Sequence, residues 1–400
     1  MFANWNLIIP IDKDRASSSS SSRSPAIKKA RISSVTYPRC LALTSSTAST
    51  APPSPPDFDT ITQIFTTIKK HTDITAAHLS LLNVSYSYDL PLSSIIPTKY
   101  HADENEADDR SIFNQRKKEV TVENQDAYDF IARKRRDIKI GNFYKFYQTA
   151  EMVELLLSSD SDSSSNSGTA AASSTPVSPP NSREANLEMT AAARSAARYR
   201  EDLLRNFVDP IAWGYDMRIY PPRYQPRLLS RKSLFNAKVD LYVHLQPPTM
   251  QERKEGIVIG PAVVLQTRNE DKYSETDDLL DAVHELSALL TFGQERSRKG
   301  THKKVVYKAI GKDKDIGGDD LFLISSVHHH IALSHVFITD AFTKFIRTGE
   351  LPPKEYIDLN PDWCCCRIGR TKWYSLLDAE GRVEALRAVM ALFNWLKREN

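Results

Sequence analysis

The chain has 400 residues, 40% of them hydrophobic, and its 53 Lys and Arg against 50 Asp and Glu leave a formal charge of only +3. That balance excludes a histone-like or generally polybasic protein, so any surface for nucleic acid has to be a local patch. Four cysteines, three of them consecutive (Cys364, Cys365, Cys366), cannot build a disulfide framework and indicate a reduced, intracellular chain. No apolar run approaches the roughly 18 residues of a membrane-spanning helix, so no membrane partner is expected.

Residues 1–56 are low in complexity, with a serine run from Ser17 to Ser22 and prolines at Pro52, Pro53, Pro55 and Pro56. Such a composition cannot bury enough apolar area to offset chain entropy, and a disordered tail is expected. Lys28-Lys29-Ala30-Arg31 has the look of a weak nuclear import signal, with an ordinary basic spot in a tail as the plainer reading. Arg15, Arg23, Arg31 and Arg39 in serine-rich sequence suit a transit peptide, which Asp12 and Asp14 oppose. Nucleus therefore stands ahead of mitochondrion as the compartment.

From Asp57 the pattern becomes helical: Phe58, Ile61, Phe65 and Ile68 recur on one face, with Asp57 placed as the cap. An acidic run at 103–109 reads as a loop, and Phe143, Phe146, Met152, Leu155 and Leu156 mark further helix, so 57–157 is expected to be a mainly helical region. Arg133-Lys134-Arg135-Arg136 within it reads first as a solvated face and second as a phosphate contact. Residues 158–185, rich in Ser, Ala and Pro, read as a linker, and a second ordered part spans 186–400.

In that part, residues 187–208 predict a helix ended by Pro210, and Trp213, Tyr215, Met217 and Ile219 alternate as a strand would. Val239, Leu241, Val243 and Leu245 predict a second strand with Asp240 on its other face. Residues 257–266 are almost continuously apolar, as in a central strand covered on both sides, and end abruptly in Gln266-Thr267-Arg268-Asn269-Glu270-Asp271. An amphipathic helix follows over 275–292, striped by Leu279, Val283, Leu286 and Leu290 and ended by Gly293; strands are expected at 305–310, 321–327 and 331–338, and a last helix at 378–397. The order is that of a mixed α/β (α+β) fold, a central sheet flanked by helices.

Residues 186–398 resemble the fungal PD-(D/E)XK nuclease-like family, with its restriction-endonuclease-like core. The resemblance is carried by the succession Arg198-Tyr-Arg-Glu-Asp-Leu-Leu204, the Trp213/Tyr215 segment, Lys238-Val-Asp-Leu-Tyr-Val-His-Leu245, Pro261-Ala-Val-Val-Leu-Gln-Thr-Arg268, the helix after it and Arg370-Thr-Lys-Trp373 through Trp395. It covers roughly half the chain, and no single piece is specific. It implies hydrolysis of a phosphodiester in nucleic acid, DNA ahead of RNA, with Mg²⁺ held by two acids on adjacent strands and a lysine acting on the attacking water. Asp240 matches the first acid, Gln266 stands where the second belongs, Arg268 replaces the lysine, and Glu201 matches an auxiliary acid on the preceding helix. The two replacements matter chemically. A glutamine brings only a neutral carbonyl oxygen, and an arginine stays protonated at any working pH, so it can clamp a phosphate but cannot act as a base. A catalytically degenerate fold that binds nucleic acid or protein is the alternative.

Other constellations carry less. His328-His329-His330 cannot converge on one ion from a strand and reads as a turn between strands. The consecutive cysteines lack the spacing of a zinc site. Arg296, Arg298, Lys299, Lys303 and Lys304 form the best basic patch, read equally as a solvated loop.

Overall fold

The computed structural model describes residues 54–397 apart from 69–72, 103–110, 134–137, 166–181, 223–225, 238, 248, 256, 260, 269–276, 298–300, 303–304 and 309–316. The N-terminal tail to residue 53, the acidic run, Lys134 to Arg136, most of the Ser-rich segment, Glu270, Asp271 and four of the five basic-patch residues lie outside the described residues.

In chain order the elements are helices α1 (Phe58–Thr67) and α2 (Ala76–Leu81); strand β1 (Val84–Leu90); helices α3 (Leu92–Ile95), α4 (Ile112–Val120), α5 (Asn124–Ala132), α6 (Tyr144–Ser165) and α7 (Ser182–Gly214); strands β2 (Met217–Tyr220), β3 (Arg227–Ser230), β4 (Ser233–Asn236) and β5 (Leu241–Leu245); helix α8 (Met250–Lys254); strands β6 (Ile257–Ile259) and β7 (Pro261–Arg268); helix α9 (Asp277–Ser297); strands β8 (Thr301–His302), β9 (Val305–Lys308), β10 (Gly318–Val327) and β11 (His330–Thr339); helices α10 (Asp340–Thr348) and α11 (Lys354–Leu359); strands β12 (Cys366–Thr371) and β13 (Tyr374–Ser375); and helix α12 (Ala379–Leu396).

One mixed sheet dominates, in the order β1-β12-β11-β10-β7-β5-β2, with β13 paired to β11. Its centre is the pair β7–β10, which is parallel, while β10–β11, β5–β7 and β2–β5 are antiparallel. Helices cover both faces. On one, Leu241, Val243, Val263, Leu265, Phe322 and Ile324 pack with the apolar stripes of α6, α7 and α12; on the other, Tyr242, Val264, Leu321, Leu323 and Val336 pack with α1, α9 and α10. The stretches on either side of the Ser-rich segment share this sheet, since β1 pairs in parallel with β12 and residues from both fill both cores. Arg382, buried on α12, ties them further: its guanidinium donates to the carbonyls of Val120, Val122 and Leu376 and to Asn124 Oδ1.

Local signals hold at several ends. Asp57 caps α1 by accepting from the Thr60 amide at 3.0 Å, and Asp378 caps α12 through the Gly381 amide. Val327 faces His330 across a tight β10–β11 turn in which His328 takes a positive φ of 52°, so His328 and His329 form the turn and His330 opens β11.

Several boundaries differ from the sequence reading; the linker expected at 158–185 is helical to Ser165 and again from Ser182. Helix α7 runs through Pro210 to Gly214, so the strand expected from Ile211 shrinks to Met217–Tyr220. A proline inside a helix costs roughly 3 kcal/mol, but Leu203, Leu204, Phe207, Val208 and Ile211 are all buried along one face, at about 1.5–3 kcal/mol each, and that packing wins. Helix α9 likewise passes Gly293, where a Cβ would come within 3.1 Å of Leu321 Cδ1; the glycine permits close helix–sheet approach instead of ending the helix. The apolar run 257–266 is two strands: β6 belongs to a separate sheet of order β6-β9-β8, and β7 starts afresh at Pro261, which lacks an amide for continuous pairing and sits at a register shift against β5.

Candidate functional site

The polar end of β7 and the residue entering β5 meet. Leu241 pairs with Leu265 in the antiparallel β5–β7 ladder, which brings Asp240 opposite Gln266. Two hydrogen bonds fix this approach: the Asp240 amide donates to the Leu265 carbonyl at 3.2 Å, and the Thr267 amide donates to Asp240 Oδ2 at 2.5 Å. By strand alternation Gln266 shares the face of Val264, the face that α9 covers, while Asp240 precedes β5 and reaches the Thr267 amide at the strand end. Arg268 closes β7 beside Val327 of β10; its side chain lies outside what is described.

The remaining candidate is placed differently. Glu201 is on α7, whose neighbouring Leu203, Leu204 and Phe207 pack against the opposite face, with Leu241 and Leu265. So the structure brings together Asp240, Gln266 and the end of β7, and sets Glu201 on the helix across the sheet from them. Gln266 itself is 1% exposed. The basic patch also changes: Arg296 is buried on the last turn of α9, bonded to Asp319 at 3.2 Å and to the Asp320 carbonyl, and so belongs to the core. It is drawn there because α9 continues beyond Gly293. Arg133 is exposed, with Asp129 at 3.8 Å.

A second polar centre, on the face that α9 covers, is hard to see in sequence. Glu285, on α9, is fully buried; its Oε1 accepts from Ser325 Oγ at 3.0 Å, and its Oε2 from Tyr86 at 2.9 Å and Ser334 at 3.1 Å. Ser325 pairs in register with Gln266, and Ser334 with Arg370, whose guanidinium lies 5.5 Å from the Tyr86 ring centroid and 4.7 Å from that of Trp373. The available signal is a pair of serines, Ser325 and Ser326, following the apolar run Leu321–Ile324. At the β10–β11 turn, His329 and His330 are buried with ring centroids 4.0 Å apart; burial pulls His329 down to about 2 and His330 to about 4. Cys364 and Cys366 are buried and Cys365 half-buried, and burial raises all three thiols, as suits inert core cysteines.

These donors can be set against the magnesium ion that the nuclease resemblance implies. Mg²⁺ takes octahedral oxygen ligation with one or two carboxylates. The strand ends supply one carboxylate, with one oxygen already engaged by the Thr267 amide, and an inaccessible neutral amide. Among the described residues no three His, Cys, Asp or Glu side chains are grouped to hold a metal ion. The described donors do not fit the ion.

No protein-family model, curated protein or solved structure matches the chain. Among the described residues no helix is long and apolar enough to cross a membrane. The molecule is thus an α/β protein built on a large mixed sheet flanked by helices.

Proposed function

We propose that the chain carries a restriction-endonuclease-like core that binds nucleic acid without cutting it. The succession α7, β2, β5, β7, α9, β10, with β2, β5 and β7 antiparallel and β10 parallel to β7, supports the core. One observation carries the functional reading: the β5–β7 register sets Asp240 against Gln266 at the strand ends, so the arrangement of such a site is kept while its second acid has become a buried amide. Arg268, protonated at all working pH, would take the phosphate through its fork of donors. Asp240, by holding the Thr267 amide, would fix the backbone from which Arg268 projects. Arg268 cannot take the lysine's part in removing a proton from water.

The test is fluorescence anisotropy of a labelled oligonucleotide with the full-length protein in EDTA, repeated at several salt concentrations. Binding without metal is expected, and Arg268→Ala should weaken it across sequences and reduce the salt slope by roughly one. No binding to single or double strands at low salt would overturn the reading.

A further inference from the structure

We propose that the β10–β11 turn is an acid-sensitive latch, which keeps the ends of β7 and β10 closed near neutral pH and releases them locally in mild acid. The inference stands apart from the nucleic-acid reading, and its consequence falls on the strand end which that reading uses.

The turn is closed by a short set of contacts. Val327 pairs with His330 across it, His330 pairs with Ser375 of β13, and the Leu376 amide donates to the His329 carbonyl at 2.8 Å. His328 takes the left-handed conformation, with a φ of 52°, which a residue carrying a Cβ adopts at a cost. His329 and His330 are 1% and 5% exposed, with ring centroids 4.0 Å apart. Neither ring nitrogen of His329 has a hydrogen-bond partner among the described residues. A proton arriving on that ring would bring a positive charge into a buried place, with no described acceptor for the new N–H.

The surrounding charges offset little of that cost. Arg200 on α7, His328 in the turn and His330 all act on His329 against protonation. His330 feels His328 in the same sense and Asp378 in the opposite one; Asp378 is the α12 cap, engaged by the Gly381 amide. Glu201 stands next to Arg200 on α7, and Arg268 ends β7 beside Val327, its side chain outside what is described. Burial, the largest influence, holds His329 down to about 2 and His330 to about 4. Near pH 5 both rings therefore stay neutral while the turn is closed and take up protons once it opens.

Opening also draws Val327 away from Arg268, because Val327 pairs with both His330 and Arg268. In the open state the rings return to a value near 6.5. Between pH 7 and 5 each ring then favours opening by roughly 20-fold, and the two together by on the order of 500-fold.

Hydrogen exchange of the full-length protein, followed at the Leu376 amide and corrected for intrinsic rates, tests the latch at pH 7 and pH 5. Protection there should fall on the order of 500-fold, at an opening free energy below that of global unfolding in urea at the same pH. His330→Leu should leave a fall of roughly 20-fold, and His329→Leu/His330→Leu should abolish it. Wild-type protection that does not change between the two pH values would overturn the proposal. So would a Leu376 opening free energy equal to that of global unfolding at both, since the histidines would then act only on the fold as a whole. Both outcomes are read on the wild type, so neither depends on a variant that folds.

Discussion

Two polar centres lie on one sheet and are built in opposite ways. Glu285 is sealed under α9 and meets three hydroxyl donors from β1, β10 and β11. Asp240, half-buried at the entry to β5, meets a backbone amide at a strand end. A buried carboxylate is tolerable only when its oxygens are hydrogen-bonded. Glu285 meets that condition with donors from elements far apart in sequence, so its work is to bind β1 and α9 to the sheet centre. Burial separates the two carboxylates, although both look alike in sequence.

The comparison can be broken most directly at Glu285. Glu285→Ala leaves Tyr86, Ser325 and Ser334 without their shared acceptor and opens a void, and should destabilise the fold by about 3–5 kcal/mol, read by urea unfolding. Glu285→Gln, which keeps the shape and one acceptor, should lose less than half of that. A loss under about 1 kcal/mol for the alanine variant would mean that the network contributes little. Asp240→Asn should by contrast lower stability by only about 1 kcal/mol, and its larger effect should appear in nucleic-acid affinity.

Between these lies an acid effect at the histidine turn. Burial depresses His329 to about 2 and His330 to about 4 from an unfolded value of 6.5. Below 6.5 the unfolded chain gains protons that the folded chain refuses, so this stability is complete above 6.5 and is lost as pH falls toward the folded values. Linkage puts the loss near pH 5 at about 2 kcal/mol for each ring. Urea unfolding from pH 7 to 5 should show this slope, and His329→Leu/His330→Leu should flatten it. An unchanged slope in the double variant would place the titration elsewhere.

Much of the architecture was legible because its signals are local. Alternation at 241–245, the continuous apolar run at 261–265 and the stripe of 379–396 each report one face of one element. Pro210 and Gly293 misled because their local preference is overridden by packing across the sheet, which no window of sequence contains. The role of β1 was hidden for a similar reason: its partner β12 lies nearly three hundred residues away. Within the site, the meeting of Asp240 and Gln266 followed from strand order and register. The burial of Gln266 and the placing of Glu201 across the sheet did not, because alternation tells which residues share a face and not which helix covers it. Glu285 escaped because a glutamate beside a helical stripe usually faces water, and only hydroxyls brought from three strands make its burial tolerable.

The central claim is that the Asp240–Gln266–Arg268 strand ends hold a nucleic-acid strand without breaking it. The most direct measurement follows a labelled strand in Mn²⁺ with the full-length protein, reading occupancy by anisotropy and integrity on a denaturing gel. The account predicts a bound, intact strand. A strand cut by the wild type and spared by Asp240→Ala would contradict it.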